Sequence, residues 1–144
     1  MDGLLSLIAE LNQDEGNPTD RLTAEALHRL IGQAFVFVAG IEGRLVGYAT
    51  GHPTYETGYA EPGIYVGDLY VTPAHRRQGI ARALLSHMAR AGHARGARHL
   101  WLTARDDNLA AHAFYRRLGS RGERVMAFAV VEQDFRNLAA EAKA

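Results

Sequence analysis

The feature that most constrains the fold is a strand, helix, strand pattern in the middle of the chain. Residues 64–71 are almost continuously apolar, as in a buried strand, and Pro73 follows them. From Gly79 to about residue 95 the apolar side chains recur at helical spacing, and residues 98–104 then favour a second strand. A helical crossover of this kind joins parallel strands of one sheet, so the pattern predicts an α/β protein.

Helices are predicted on both sides of this unit. Apolar residues at helical spacing favour a helix over residues 3–14. Thr23 is a suitable N-cap for a second helix, which Gly32 is placed to stop. Asn108 is a suitable N-cap for a later helix, with Gly119 at the position that follows its C-terminal end.

The remaining strands are predicted from a change in apolar period from 3.6 to 2. Residues 34–41 and 45–51 predict a β-hairpin around the turn Glu42–Gly43. Residues 52–63 are expected to form a loop because prolines and glycines interrupt them, and residues 125–131 predict a last strand. The chain is therefore expected to form a mixed sheet with helices on both faces, in a single domain of 144 residues.

The composition excludes several classes of protein. The chain has no cysteine, which excludes disulfide frameworks, cysteine-ligated zinc and thiol nucleophiles and favours a reducing compartment. No apolar run approaches the roughly 18 residues of a membrane-spanning helix, so a cytoplasmic protein without a membrane partner is expected. The histidines lack metal-ligand spacing, so no metal is expected. Basic and aromatic residues do not interleave, so no nucleic-acid partner is expected.

The charge is zero overall but unevenly distributed. Residues 1–71 carry a net charge of −7, residues 72–124 carry +8, and the remaining tail carries −1. The arginine-rich middle suits a polyanionic ligand such as the phosphates of a nucleotide, and the acidic first half suits a cationic partner. Solvated charged faces would give the same distribution.

The segment Arg76–Ala81, between the buried strand and the long helix, has the features of an anion site. Free backbone N–H groups and the positive end of the helix dipole meet there, and small residues permit close approach. Arg76, Arg77 and Arg82 add positive charge. The segment is neither a Walker A loop nor a GxGxxG fingerprint, which argues against ATP and NAD. The alternative is an ordinary solvated helix start.

Two residues are candidates for acid–base chemistry. Asp68 lies within an apolar strand, where a carboxylate is costly unless it is paired or functional. A carboxylate there is suited to accept a proton or to orient a cation, and its alternatives are an edge-facing side chain or a pair with a neighbouring arginine. Tyr115 lies on the apolar face of its predicted helix, which by itself favours a core aromatic residue. The only tryptophan, Trp101, is also expected in the core.

With its flanks, the arginine-rich segment resembles the acetyl-CoA motif of the GCN5-related N-acetyltransferase (GNAT) superfamily, which reads Arg or Gln, two residues, Gly, one residue, then Gly or Ala. Arg76, Gly79 and Ala81 match that motif, and the run from Asn108 to Gly119 resembles a further signature of the superfamily. The resemblance covers about residues 35–131. It implies a mixed, mostly antiparallel central sheet built around a βαβ unit that binds acetyl-CoA.

The resemblance also implies a set of site residues. Backbone amides of residues 77–81 hold the CoA pyrophosphate, and residues 69–71 pair with the pantetheine arm like an added strand. Tyr115 is the implied general acid for the departing thiolate, with a backbone N–H near Val71 as the oxyanion donor, and Asp68 assists deprotonation of the amine. The implied acetyl-CoA residues are Leu69, Tyr70, Val71, Arg76, Arg77, Gln78, Gly79, Ile80, Ala81, Arg82, Asn108, Ala111 and Tyr115.

The sequence around Asp68, Tyr-Val-Gly-Asp-Leu, resembles two subgroups, the aminoglycoside 3-N-acetyltransferases and the spermidine/spermine acetyltransferases. The polyamine enzymes usually carry Glu immediately before the Asp, where this chain has Gly67, and residues 123–128 look closer to the aminoglycoside subgroup. The implied partner is a small-molecule amine, and the resemblance places several loop residues at the border of its pocket. The alternative is that these are ordinary solvated loop residues. Those residues are His52, Tyr55, Glu56 and Glu61, in addition to Asp68.

The resemblance leaves two further expectations and two alternatives. The superfamily's usual first strand has no counterpart before Leu4, so the sheet is expected to lack that edge strand. Many relatives form dimers, so a homodimer is expected. The alternatives to small-amine acetylation are a non-catalytic acyl-CoA sensor and a protein or peptide acetyltransferase.

Overall fold

The computed structural model describes residues 1–143. The elements are α1 (Asp2–Glu15), α2 (Ala24–Gln33), β1 (Phe35–Ile41), β2 (Arg44–Glu56), β3 (Glu61–Val71), α3 (Ile80–His93), β4 (Leu100–Trp101), α4 (Leu109–Arg117) and α5 (Glu132–Ala140). They fall in two compact units, residues 1–103 and the residues from Ala104 onward. No helix within residues 1–143 is both long and apolar enough to cross a membrane.

The first unit is built on a four-stranded sheet in the order β1-β2-β3-β4. The first three strands are antiparallel, and β4 runs parallel to β3 after the crossover through α3. Glu42 and Gly43 have φ values of 50° and 77°, as a two-residue hairpin turn of type I′ requires. The predicted hairpin and the predicted βαβ unit are therefore confirmed. Within the described residues, no strand precedes α1.

Helices cover both faces of this sheet. On one face, α1 and α2 enclose a core in which Leu27 and Tyr48 are fully buried, together with Leu7 and Tyr70. On the opposite face α3 comes so close that a Cβ atom at Gly51 would lie 2.6 Å from Sδ of Met88. The two faces follow from the alternation of side chains along β2.

The capping signals are partly confirmed. Oγ1 of Thr23 accepts a hydrogen bond from the N–H of Ala26 at 3.1 Å, as an N-cap should. The prediction that Gly32 stops α2 is wrong, because the helix continues through Gln33. The N–H of Ala34 closes the last turn by donating to the carbonyl of Leu30 at 2.9 Å.

The predicted loop over residues 52–63 is wrong, because most of it extends β2 and β3 to a second hairpin. Pro53 lies opposite Ile64, and Pro62 lies opposite Tyr55. Since β1 pairs with β2 only as far as Gly51, Pro53 lies where β2 has an open edge and a missing N–H costs no ladder bond. His52, Tyr55 and Glu56 are therefore strand residues.

The second unit holds α4 and α5. Oδ1 of Asn108 accepts a hydrogen bond from the N–H of Ala111 at 3.2 Å, and Gly119 follows α4 with φ 89°, so both predicted ends of this helix are confirmed. The predicted strand over residues 125–131 is wrong. Its apolar side chains are exposed, and no strand is described in residues 104–143 with which it forms a ladder. The predicted strand 98–104 is reduced to Leu100–Trp101.

Candidate functional site

The parallel strands β3 and β4 share only a short ladder. Ile64 pairs with Leu100 and Tyr65 pairs with Trp101, and β4 ends there. Beyond Tyr65, β3 continues to Val71, and within residues 1–143 no strand pairs with it on that side. Backbone groups on this open edge are therefore available to an extended ligand that adds to the sheet like a strand. The predicted pantetheine segment, residues 69–71, lies on this edge.

The predicted anion site lies directly after this edge, at the start of α3. Gly79 is the N-cap with φ 79°, and no side chain among the described residues caps the helix. The described hydrogen bonds include none from the backbone N–H groups of residues 77–82. These residues include three that the resemblance assigns to acetyl-CoA, namely Gln78, Ile80 and Ala81. The free N–H groups and the helix dipole suit an anion, and an added Cβ at Gly79 would meet nothing within 4 Å.

The three arginines near this turn do different things. The Nε atom of Arg76 donates to the carbonyl of Val71 at 2.8 Å, and its guanidinium lies 3.7 Å from Oδ2 of Asp14. Arg76, a predicted acetyl-CoA residue, therefore uses its side chain to tie the turn to β3 and α1. Arg77 and Arg82 are exposed and form no ion pair within residues 1–143, which leaves their charge available to a ligand.

Asp68 lies where the β2–β3 ladder is irregular. Thr50 pairs with Asp68 and Gly51 pairs with Val66, so Gly67 is an extra residue that bulges from β3. Oγ1 of Thr50 accepts a hydrogen bond from the backbone N–H of Asp68 at 3.0 Å. The bulge thus directs the Asp68 carboxylate to the same face as the side chains of Tyr48 and Thr50.

Burial raises the pKa of Asp68 above its ordinary value. Hydrogen bonds from the side chains of Tyr48 and Thr50, and the nearby His52, lower the pKa against that effect. Burial and the charge of Asp68 raise the pKa of Tyr48, so its hydroxyl stays protonated and donates to Oδ2 of Asp68 at 3.4 Å. A half-buried carboxylate with a raised pKa is suited to take and release a proton.

Sequence reasoning missed the two side chains that surround Asp68. Tyr48 and Thr50 alternate on one face of the predicted hairpin, and this period of 2 was the available signal. Their pairing with Asp68 depends on the register of β2 against β3, which the sequence does not specify at a bulge. The structure brings His52 to the same cluster, since its Nε2 atom lies 3.7 Å from the position of a Cβ at Gly67.

Two residues predicted to border the acceptor lie further along β2 than His52, and the tryptophan is more exposed than predicted. Tyr55 is 60% exposed, and Glu56 lies at the far end of β2 opposite Glu61. Trp101, expected in the core, is 48% exposed. It packs against Tyr65 with a ring-centroid distance of 4.5 Å, close to the short outer end of the sheet.

In the second unit, α4 carries the predicted residues Asn108, Ala111 and Tyr115. The amide oxygen of Asn108 is engaged with the N–H of Ala111. Tyr115 is half-buried, contacts Phe114 at a ring-centroid distance of 5.3 Å, and has a pKa that burial raises above its ordinary value. Its hydroxyl therefore carries a proton at neutral pH, as a general acid must. The catalytic roles of these residues remain predictions.

Comparison with known proteins identifies the class of fold to which these features belong. Residues 4–120 match the acetyltransferase (GNAT) family, and the chain belongs to that family. Among solved structures, an aminoglycoside acetyltransferase from an uncultured soil metagenomic sample is similar, with a TM-score of 0.77, 27% identity and 90% coverage of each chain. The predicted mixed α/β architecture is thereby confirmed.

The matches to curated relatives cover a smaller part of this chain. Streptothricin acetyltransferase of Streptomyces lavendulae is 39% identical over 84 residues, which are 58% of this chain and 42% of the relative. A ribosomal protein bS18-alanine N-acetyltransferase of Escherichia coli K12 is 44% identical over 52 residues, 36% of this chain and 35% of the relative. The chain thus spans about two fifths or less of the length of these curated relatives.

Proposed function

We propose that this protein is an acetyl-CoA-dependent N-acetyltransferase that acetylates a primary amine of a small cationic molecule. The observation that carries the proposal is the open edge of β3, which leads directly to the uncapped start of α3. An extended amide-bearing arm and a pyrophosphate are the two chemical parts that such a pair of features accommodates. Family membership and the named relatives support the same reading.

The residues at this edge fit acetyl-CoA. The backbone of residues 69–71 offers hydrogen bonds to the pantetheine arm, and the N–H groups of residues 77–81 face the pyrophosphate. Arg77 and Arg82 supply positive charge. The side chain of Arg76 supports the turn through Val71. Acetyl-CoA supplies a thioester, whose carbonyl carbon accepts an amine.

The roles of the two candidate catalytic residues follow from the bonds that change. The amine nitrogen forms a bond to the thioester carbonyl carbon, and the bond from that carbon to sulfur breaks. The proton lost by the ammonium passes to Asp68, directly or through water, and Tyr115 donates its hydroxyl proton to the departing thiolate. A backbone N–H near Val71 stabilises the charge that develops on the carbonyl oxygen.

A cationic acceptor is supported by the residues around Asp68. The half-buried carboxylate attracts an ammonium group, and the first 71 residues carry a net charge of −7. The similar proteins include a streptothricin acetyltransferase and an aminoglycoside acetyltransferase, and both names refer to small-molecule acceptors. A homodimer and a cytoplasmic location remain predictions.

The experiment that tests this function measures thiol release from acetyl-CoA with a thiol-reactive dye. Because the chain has no cysteine, the protein adds no background. The acceptor panel contains aminoglycosides, polyamines, amino acids and short peptides. Thiol release with small amines supports the proposal, whereas thiol release with peptides alone indicates a protein acetyltransferase instead. Silence across the panel with acetyl-CoA binding shown by thermal shift contradicts transfer and supports a sensor.

A further inference from the structure

The turn that leads into α3, residues 76–81 and here called the anion turn, has a backbone that needs support. Arg77 has φ 61° and Gly79 has φ 79°, so two of its residues lie in the left-handed region. That region is costly for a residue with a side chain, such as Arg77, and persists where surrounding contacts hold it. Among the described hydrogen bonds, none comes from the backbone N–H groups of residues 77–81. The support therefore comes from side chains.

The side chain of Arg76 leaves the anion turn and joins it to two other elements. Its Nε atom donates to the carbonyl of Val71, the last residue of β3, at 2.8 Å. Its Cζ atom lies over the ring of Tyr70, 5.6 Å from the centroid. Its Nη2 atom lies 3.7 Å from Oδ2 of Asp14. The side chain is thus held at three points, two on β3 and one on α1.

The contacts of Arg76 continue into one face of α1. Tyr70 is buried, and its hydroxyl donates to Oε2 of Glu10 at 3.1 Å. Glu10 and Asp14 are four residues apart, so they lie on the same face of α1, one turn from each other. This face contacts Arg76 directly through Asp14 and indirectly through Tyr70.

Asp14 is unfavourable for the helix that carries it. It lies in the last turn of α1, which contains no basic residue, and an acid there faces the negative end of the helix dipole. Asp14 also places a negative charge near a turn whose free N–H groups suit an anion. Considered by charge alone, its removal should therefore stabilise α1 and strengthen anion binding. A role in holding Arg76 predicts weaker anion binding, so the sign of the effect separates the two.

We propose that α1 positions the anion turn for the pyrophosphate of acetyl-CoA, with Asp14 and Tyr70 as positioning residues that hold the side chain of Arg76. This inference rests on the proposed function and adds to it a helix outside the acetyl-CoA edge. Arg76 acts through its contacts within the protein, whereas Arg77 and Arg82 carry the charges that are available to the phosphates.

The first test measures the dissociation constant of CoA for the full chain by calorimetry. Asp14→Asn is expected to raise this constant about two- to fivefold, as the loss of an exposed ion pair predicts. The matched control is Glu15→Gln, which removes the same charge from the same helical turn, where Glu15 contacts Asn17. The control should leave the constant unchanged. An unchanged or lower constant in Asp14→Asn overturns the proposal.

A double-mutant cycle shows whether Asp14 acts through Arg76. Arg76→Gln removes the guanidinium and with it the ion pair to Asp14. In the Arg76→Gln protein, Asp14→Asn should therefore have no further effect on the CoA dissociation constant. An undiminished effect in that background overturns the proposal. Asp14→Glu keeps the carboxylate, and its constant should lie within about twofold of the native value.

Stability and turnover separate positioning from a general structural role. The melting temperature of Asp14→Asn should equal or exceed that of the native protein, because the variant removes an acid from the negative end of α1. In turnover, its KM for acetyl-CoA should rise by the same factor as the dissociation constant, with kcat within about twofold. A lower melting temperature and a lower kcat with an unchanged KM would overturn the positioning role.

Limited cleavage by trypsin examines the anion turn without any ligand. Trypsin cleaves after arginine, and Arg77 is exposed, so cleavage there reports how firmly the turn is held. Relative to cleavage after Arg44, cleavage after Arg77 should be faster in Asp14→Asn than in the native protein and in Glu15→Gln. Equal rates overturn the proposal. If the native chain does not bind CoA, the proposed function is contradicted, and faster cleavage after Arg77 in Asp14→Asn still supports the contact of α1 with the turn.

Discussion

The hydroxyl of Tyr48 lies 3.4 Å from Oδ2 of Asp68 across the paired strands β2 and β3. Tyr48 is fully buried, so its hydroxyl has no water to replace this contact. Burial raises the pKa of Asp68, and the hydrogen bond from Tyr48 lowers the pKa against that rise. The protonation of the candidate base is thus adjusted by a residue on the neighbouring strand.

Tyr48→Phe is expected to move the acid limb of the pH profile of kcat/KM to higher pH. The variant removes a donor that stabilises the Asp68 carboxylate, so the pKa of Asp68 rises further, and a base must be ionised to act. The native limb is itself expected above the ordinary aspartate pKa of about 3.9. The measurement is the rate of thiol release from about pH 4 to about pH 8.

The control for this prediction is Asp68→Asn, which should abolish the limb and lower kcat by roughly ten- to ten-thousand-fold. Identical limbs in the native protein and in Tyr48→Phe would show that Asp68 is not the titrating base.

Tyr115→Phe is expected to lower kcat by roughly ten- to ten-thousand-fold, because the variant cannot donate a proton to the departing thiolate. Burial raises the pKa of Tyr115, so the native hydroxyl is protonated throughout the neutral range. The acetyl-CoA dissociation constant, measured by calorimetry, should not change. Undiminished turnover would remove Tyr115 from the mechanism.

Arg77→Ala is expected to weaken acetyl-CoA binding, because Arg77 is exposed beside the uncapped start of α3 and has φ 61°. The loss is expected to be about threefold to tenfold, typical of a charge-assisted contact to phosphate at an accessible site. The matched control is Arg90→Ala, which removes the same side chain in the last turn of the same helix. An equal dissociation constant for the two variants would place the pyrophosphate elsewhere.

Gly51→Ala is expected to lower the free energy of unfolding by about 1–3 kcal/mol, because the new methyl group would overpack the contact with α3. Its Cβ would lie 2.6 Å from Sδ of Met88 and 2.8 Å from Cγ2 of Ile64. The matched control is Gly32→Ala, where a Cβ meets nothing within 4 Å in a helical conformation, and stability should rise by about 0.5–1 kcal/mol. Urea unfolding measures both, and destabilisation by the control alone would contradict the packing argument.

Local signals predicted the elements whose ends depend on neighbouring residues in the chain. The side chains of Thr23 and Asn108 cap the helices that follow them. The positive φ angles of Glu42 and Gly43 allow the two-residue hairpin turn. The motif around Gly79 likewise predicted the uncapped helix start. Each of these features is determined within about four residues, so a sequence pattern is sufficient.

Features that depend on tertiary pairing were missed. Pro53 and Pro62 indicated a loop, but β2 has an open edge at Pro53 that accommodates a residue without an N–H. Residues 125–131 alternate as a strand does, but a strand also needs a partner. The contacts of Asp68 with Tyr48 and Thr50 depend on the bulge at Gly67, and neither the sequence period nor a family motif specifies that register.

The order of strands in the sheet has a consequence for folding. β1, β2 and β3 are neighbours both in the chain and in the sheet, so each pairing closes only a short loop. The pairing of β4 requires a crossover through α3 and is only two residues long. We therefore expect the antiparallel strands to form early and the junction of β3 with β4 to close last. Amide protons of Leu100 and Trp101 should consequently exchange with solvent faster than those at the centre of β2.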